Sequence, residues 1–125
     1  FLGPNGAGKT TTLKVVSAFL APSAGRVAVA GCDAENDPLG VRRALGYLPE
    51  HNPLYLEMIV ADFLEFVGRV RGLEASARRA AVGRVAERCR LADVLERPIG
   101  ELSKGYRQRV GIAQALVHDP PVLVL

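Results

Sequence analysis
Gly3-Pro4-Asn5-Gly6-Ala7-Gly8-Lys9-Thr10 decides how this chain is read. The stretch fills the spacing G-x-x-x-x-G-K-[ST] at every fixed position, with Phe1-Leu2 before it and an apolar helical pattern after it. Gly3, Gly6 and Gly8 let the backbone curl until successive N–H groups point inward, the arrangement that phosphate oxygens require. Lys9 brings an ammonium to the outer phosphates, and the Thr10 hydroxyl is placed to ligate an accompanying magnesium. A helix starting near Lys9 turns its positive dipole end to the same anion. An ordinary glycine-rich turn would match these four fixed positions by chance about once in a few hundred chains of this length. The stretch is therefore read as a loop that holds a nucleoside triphosphate.

Working outward, residues 11–20 carry Leu13, Val16 and Leu20 at helical spacing, widened by Val15 and Phe19. Turn chemistry in residues 21–25 ends that helix. Residues 26–31 predict a short strand, 32–39 a polar turn region, 41–45 at most a helical turn, and 46–48 a second strand closed by Pro49. Residues 50–56 form a loop around Pro53. Beyond it the period turns helical, with one stripe of Ile59, Phe63, Phe66, Val67 and Val70 and another of Val82, Val85, Ala86 and Cys89. A short segment, 91–95, follows. Arginines at 69, 71, 78, 79, 84, 88 and 90 alternate with Asp62, Glu65, Glu74 and Glu87. No aromatic residue interleaves them, so they predict a solvated, salt-bridged face and no nucleic-acid partner.

Composition bounds the rest. The 125 residues carry 16 basic and 13 acidic side chains, a net charge of +3, and 49% of them are hydrophobic. That is one globular domain or a slice of a larger one. Cys32 and Cys89 lack metal-ligand spacing and read as small apolar groups in a reduced compartment. No apolar run reaches the length of a membrane span. Phe1-Leu2 and the run Val122-Leu123-Val124-Leu125 both read as buried strands at the chain's limits, so the expectation is a fragment cut from within a domain.

The second informative stretch is Leu102-Ser103-Lys104-Gly105-Tyr106-Arg107-Gln108-Arg109. Ser103 suits an N-cap, and Tyr106, Val110, Ala113 and Val117 follow at helical spacing. Gly105 in the first turn weakens a helix but leaves room for an anion to approach its free N–H groups.

With both stretches in view, the chain resembles the ATP-binding-cassette (ABC) ATPase family over essentially every residue. GPNGAGKTT looks like its Walker A loop. LSKGYRQR looks like a diverged signature motif that keeps Ser103 and Gly105 and replaces the usual glycine and glutamine with Lys104 and Tyr106. Tyr47-Leu48-Pro49-Glu50 falls at the family's Q-loop, and VLVL looks like the Walker B strand. Glu50 and Ser103 lie 53 positions apart, room for a compact helical subdomain rather than the long coiled coil of the chromosome-maintenance relatives. GYLPEHNPLYLEM is similar to exporter-type subunits of gliding-motility and drug- or sodium-efflux systems.

The resemblance implies an α/β P-loop core with an inserted helical subdomain: residues 1–49 the core, 50–116 the Q-loop, subdomain and signature helix, and 117–125 the return to the core. It implies ATP and Mg2+ as ligands, with Gly3, Pro4, Asn5, Gly6, Ala7, Gly8, Lys9, Thr10 and Thr11 on the nucleotide. Ser103, Gly105 and Gln108 would reach it across a head-to-tail pair of ATP-binding domains. Lys9 and Glu50 would be catalytic, and Thr10 and Glu50 would hold the metal, with Glu50 replacing the family's usual glutamine. Hydrolysis would drive integral membrane subunits from the cytoplasmic face, in the direction of export. These 125 residues alone are expected to be inactive. Two other readings stay open: a soluble ABC ATPase acting on ribosomes or another cytosolic machine, and a nucleotide-binding regulator without turnover. A glutamate after Walker B would decide the last.

Overall fold
The computed structural model describes residues 3–125, so the strand expected at Phe1-Leu2 lies outside the described residues. The chain divides into two compact units, residues 3–45 and residues 46–125.

The first unit begins with the glycine-rich loop and helix α1 (Lys9–Val16). This helix is shorter than the apolar spacing through Leu20 predicts. The Ser17 N–H still donates to Leu13 O at 2.9 Å, but Ala18 then adopts φ +53° and the N–H groups of Phe19 and Leu20 both turn back to Lys14 O. The left-handed step closes the helix and leaves Phe19 78% exposed. The strand expected over 26–31 reduces to β1 (Ala28–Val29), which pairs antiparallel with β2 (Cys32–Asp33). Ala30 and Gly31, at φ +50° and +83°, make the tight turn between them, which divides the predicted strand into a hairpin.

Asp33 Oδ1 next accepts from the N–H groups of Glu35 and Asn36, both at 2.9 Å. Helix α2 (Pro38–Ala44) follows where only a helical turn was expected. Its start is specified locally: Asp37 caps it by accepting from Gly40 N at 2.9 Å, and Pro38 brings a preset φ to the first turn. A Cβ at Gly40 would meet the Asp37 carboxylate at 2.0 Å and Cys32 Sγ at 2.8 Å, so a larger residue there would displace the capping side chain.

The second unit is built on three helices: α3 (Val60–Val70), α4 (Ala75–Arg88) and α5 (Lys104–Leu116). Single 3-10 turns at Ala92–Val94 and Ile99–Glu101 link α4 to α5. Val60, Phe63 and Leu64 of α3, Ala81, Val85 and Ala86 of α4, and Val110 and Ala113 of α5 share one core with Leu91, Val94, Ile99, Leu102 and Val117. Burying a side chain such as Leu64 or Val110 contributes about 1.5–3 kcal/mol. The buried stripe of α3 differs from the predicted one: Val60, Phe63 and Leu64 face inward, while Val70 is 68% exposed. Asp62, Glu65 and Arg69 share the opposite face, so the apolar arc is broad, and packing against α4 and α5 selects which part of it is buried. The isolated bridge between Ile59 and Pro98 ties the entry of α3 to the segment before α5.

Strand β3 (Leu45–Tyr47) pairs with β4 (Val122–Val124), and Leu48 N extends the pairing to Val124 O at 3.0 Å. Gly46 is needed here, because a Cβ would lie 2.2 Å from Ala115 O and 2.8 Å from Pro120. Within the run 122–125 the strand expected there spans Val122–Val124, with Leu123 and Leu125 exposed in the described chain. Among the described residues it pairs with β3 alone. No helix among the described residues is long and apolar enough to cross a membrane.

Candidate functional site
The glycine-rich loop curls through two left-handed residues, Gly6 at φ +83° and Gly8 at φ +86°. Open space surrounds both α-carbons, so backbone conformation, and not crowding, requires glycine at these positions. Gly8 is also the N-cap of α1, with no side chain over the helix end. The first-turn N–H groups of α1 therefore open onto a concavity of about 280 Å³ lined by Asn5, Gly6, Gly8, Lys9, Thr10 and Thr11. Ala7 N donates to Pro4 O at 3.2 Å and closes the loop on itself, and Thr12 Oγ1 donates to Gly8 O at 3.0 Å.

Lys9 folds its ammonium back across this loop and donates to the carbonyls of Gly3 and Pro4, the latter at 2.7 Å. The cation is thus held at the mouth of the concavity by acceptors that a phosphate can replace. Cation, free N–H groups and helix dipole converge on one spot, which is the chemistry of anion binding. Gly3, Pro4, Asn5, Gly6, Ala7, Gly8, Thr10 and Thr11 are all exposed, so among the described residues nothing covers them. The Thr10 hydroxyl, in the first turn of α1, fits a magnesium ion that keeps most of its ligands as water and phosphate.

In the second unit Ser103 caps α5, its hydroxyl accepting from Tyr106 N at 3.3 Å. Gly105 has only Ser103 Oγ, at 4.0 Å, near the position of an added Cβ, and its φ is not left-handed. Neither strain nor packing among the described residues requires glycine there. Ser103, Gly105 and Gln108 are all exposed at this helix start. Two side chains brace it from behind. Arg107 Nη2 donates to Gly100 O at 2.6 Å and Nε to Ile99 O at 3.3 Å. Tyr106 OH donates to Asp93 Oδ2 at 3.0 Å, and the Arg109 guanidinium lies 5.0 Å over the Tyr106 ring. Tyr106, a departure from the usual motif, therefore has a place of its own. Sequence reasoning missed the Arg107 and Asp93 contacts, since no local spacing marks a carbonyl eight residues back or an aspartate thirteen away.

Glu50 is exposed in the loop that follows β3, with its carboxylate oxygens open to a metal or water. Two residues on, Asn52 Oδ1 accepts from Gln114 Nε2 of α5 at 2.9 Å. Tyr55 of the same loop packs edge-on against Phe63, ring centroids 5.8 Å apart, and tilted against Phe66 at the same distance. On the arginine-rich helices, Arg78 Nε stands 3.7 Å from Glu65 Oε1, and Arg78 Nη1 donates to Leu73 O at 2.9 Å. Cys32 and Cys89 are both free and half-buried; desolvation raises each thiol's pKa above its ordinary value.

Set against known proteins, the whole chain, residues 1–125, matches the family profile described as ABC transporter. It is 40% identical over 124 residues to the uncharacterized ABC transporter ATP-binding protein YxlF of Bacillus subtilis (strain 168), covering 99% of this chain and 40% of that protein. It is 39% identical to the Nod factor export ATP-binding protein I of Burkholderia orbicola (strain AU 1054), covering 99% of this chain and 41% of that one. Among solved structures, an ATP binding subunit of an ABC transporter superposes with a TM-score of 0.83 at 30% identity, covering 98% of this chain and 51% of that one. The chain thus spans about two-fifths of the length of these two curated relatives.

Proposed function
The chain belongs to the ABC transporter family, and from that premise we propose that it serves as the ATP-binding and ATP-hydrolysing subunit of an exporter. The observation that carries this reading is the anion site of the first unit, where Lys9 Nζ, two left-handed glycines and the open start of α1 converge. ATP places its outer phosphates against the N–H groups of residues 6–11. Lys9 then exchanges its bonds to the Gly3 and Pro4 carbonyls for phosphate oxygens, where negative charge grows during transfer to water. The Thr10 hydroxyl would hold a magnesium ion, which would supply positive charge against the outer phosphates. Glu50 would offer carboxylate oxygens to a metal and to the attacking water; as an ionised group it accepts hydrogen bonds and donates none.

Ser103, Gly105 and Gln108 have no ligand role within their own unit. In a head-to-tail pair of ATP-binding domains they face the nucleotide of the second copy, and the bare first turn of α5 receives its γ-phosphate. Closing and opening of that pair moves integral membrane subunits on the cytoplasmic face. Export is favoured by the names of relatives, among them one for Nod factor export and one for daunorubicin resistance.

The test is fractionation of cells producing the full-length protein, followed by ATPase assay. The expected result is recovery with membranes, with ATP-dependent loading of inverted vesicles that Lys9→Ala removes. Recovery with ribosomes in place of membranes would sink the transporter reading.

A further inference from the structure
Asn52 sits at a crossing that neither the phosphate loop nor the helix start explains. Its side-chain oxygen accepts from Gln114 Nε2 at 2.9 Å across 62 positions of sequence. One helical turn earlier on α5, Gly111 is buried beneath the same amide, and a Cβ there would lie 2.2 Å from Asn52 Nδ2 and 3.0 Å from Leu48 Cδ1. Gly111 and Gln114 stand at i and i+3, so both face one side of the helix. The first clears a seat and the second supplies a donor. Glu50 lies between the two residues so held, Leu48 and Asn52. The helix that receives them is the one capped by Ser103.

We propose that Asn52 and Gln114, seated over Gly111, form a positioning latch that ties the placement of the Glu50 carboxylate to helix α5. The latch touches neither nucleotide nor metal. Through it, a displacement of α5 when Ser103 and Gly105 engage a ligand changes where Glu50 stands. This rests on the role proposed above for Glu50. The energetic link is one partly buried hydrogen bond and a close-packed contact, so the loop is held but remains releasable.

The experiment uses the full-length protein with Gln114→Leu, which keeps bulk and helix propensity but removes the donor, and Gly111→Ala, which fills the seat from the other side. Hydrogen exchange of the amides of Leu48, whose N–H donates to Val124 O, and of Glu50, His51 and Asn52 is measured without nucleotide. Turnover is then measured against ATP and against magnesium. Both variants are expected to speed exchange of that segment about tenfold while leaving α3 and α4 protected. They should lower kcat severalfold with the KM for ATP within about twofold, and raise the magnesium concentration for half-maximal turnover. A wild-type exchange rate in both variants would overturn the latch. Faster exchange with an unchanged kcat and magnesium dependence would overturn its positioning role. Glu50→Ala serves as the reference: if it leaves the magnesium dependence unchanged, the role of Glu50 fails, and exchange of the Leu48 and 50–52 amides still judges the latch.

Discussion
The Lys9 ammonium donates to the Pro4 carbonyl at 2.7 Å, so the phosphate loop carries its own temporary acceptor for the charge it offers a ligand. The lysine is therefore already placed at the mouth of the concavity. Removing it deletes the cation that the proposed reading sets against transition-state charge, and leaves two loop carbonyls without their donor. In the full-length protein, Lys9→Ala is expected to lower ATP turnover at least a hundredfold, on the order of the loss seen when a preorganised donor is removed. Triphosphate binding should weaken as well. Equal turnover in wild type and variant, at saturating ATP and magnesium, would contradict the assignment of this loop.

Gly105 separates binding from pairing. Its Cβ position is open, so Gly105→Asp should fold normally and leave ATP affinity of the single domain near wild type. The added carboxylate stands at the start of α5, where it would repel the γ-phosphate of the proposed head-to-tail pair. ATP-driven dimerisation and hydrolysis should then fall together. Nucleotide titration beside light scattering, on a hydrolysis-deficient background, reads both; a Gly105→Asp protein that still dimerises with ATP would show that Ser103 is only a helix cap.

Gly46 tests the fold apart from function. A Cβ would press against Ala115 O at 2.2 Å, and backbone at that distance must move. Gly46→Ala is expected to cost roughly 1–3 kcal/mol through overpacking, read as a lowered midpoint in urea. A midpoint equal to wild type would mean that β3 and the end of α5 are less closely packed than described.

Asp33 gives the hairpin region a pH dependence. The N–H groups of Asn36 and then Glu35 hold its carboxyl below the usual aspartate range, opposed by some desolvation. A folded pKa below the unfolded one stabilises the fold above the unfolded value, and that contribution disappears as pH falls through the folded value. The Asp33 carboxyl carbon should therefore titrate at lower pH in the folded protein than in the urea-unfolded chain. Coincident midpoints would remove the turn from this account.

The predicted anion loop, the N-cap at Ser103 and the helical character of residues 60–116 follow from short spacings, and short spacings carry local chemistry. A left-handed glycine, a capping hydroxyl or an apolar repeat depends on neighbours a few residues away, which is why these features are legible in one dimension. The hairpin turn at Ala30-Gly31, the early closure of α1 at Ala18 and the phase of α3 are not, because backbone sign and packing partner chose them. The same holds at the site. Glycine at 105 could be seen to be odd, whereas Arg107 on the Ile99 and Gly100 carbonyls and Asn52 on Gln114 became visible only in three dimensions. Those contacts join residues 7 to 62 positions apart, and only tertiary packing of α5 against the segments before it brings their polar groups within hydrogen-bond reach.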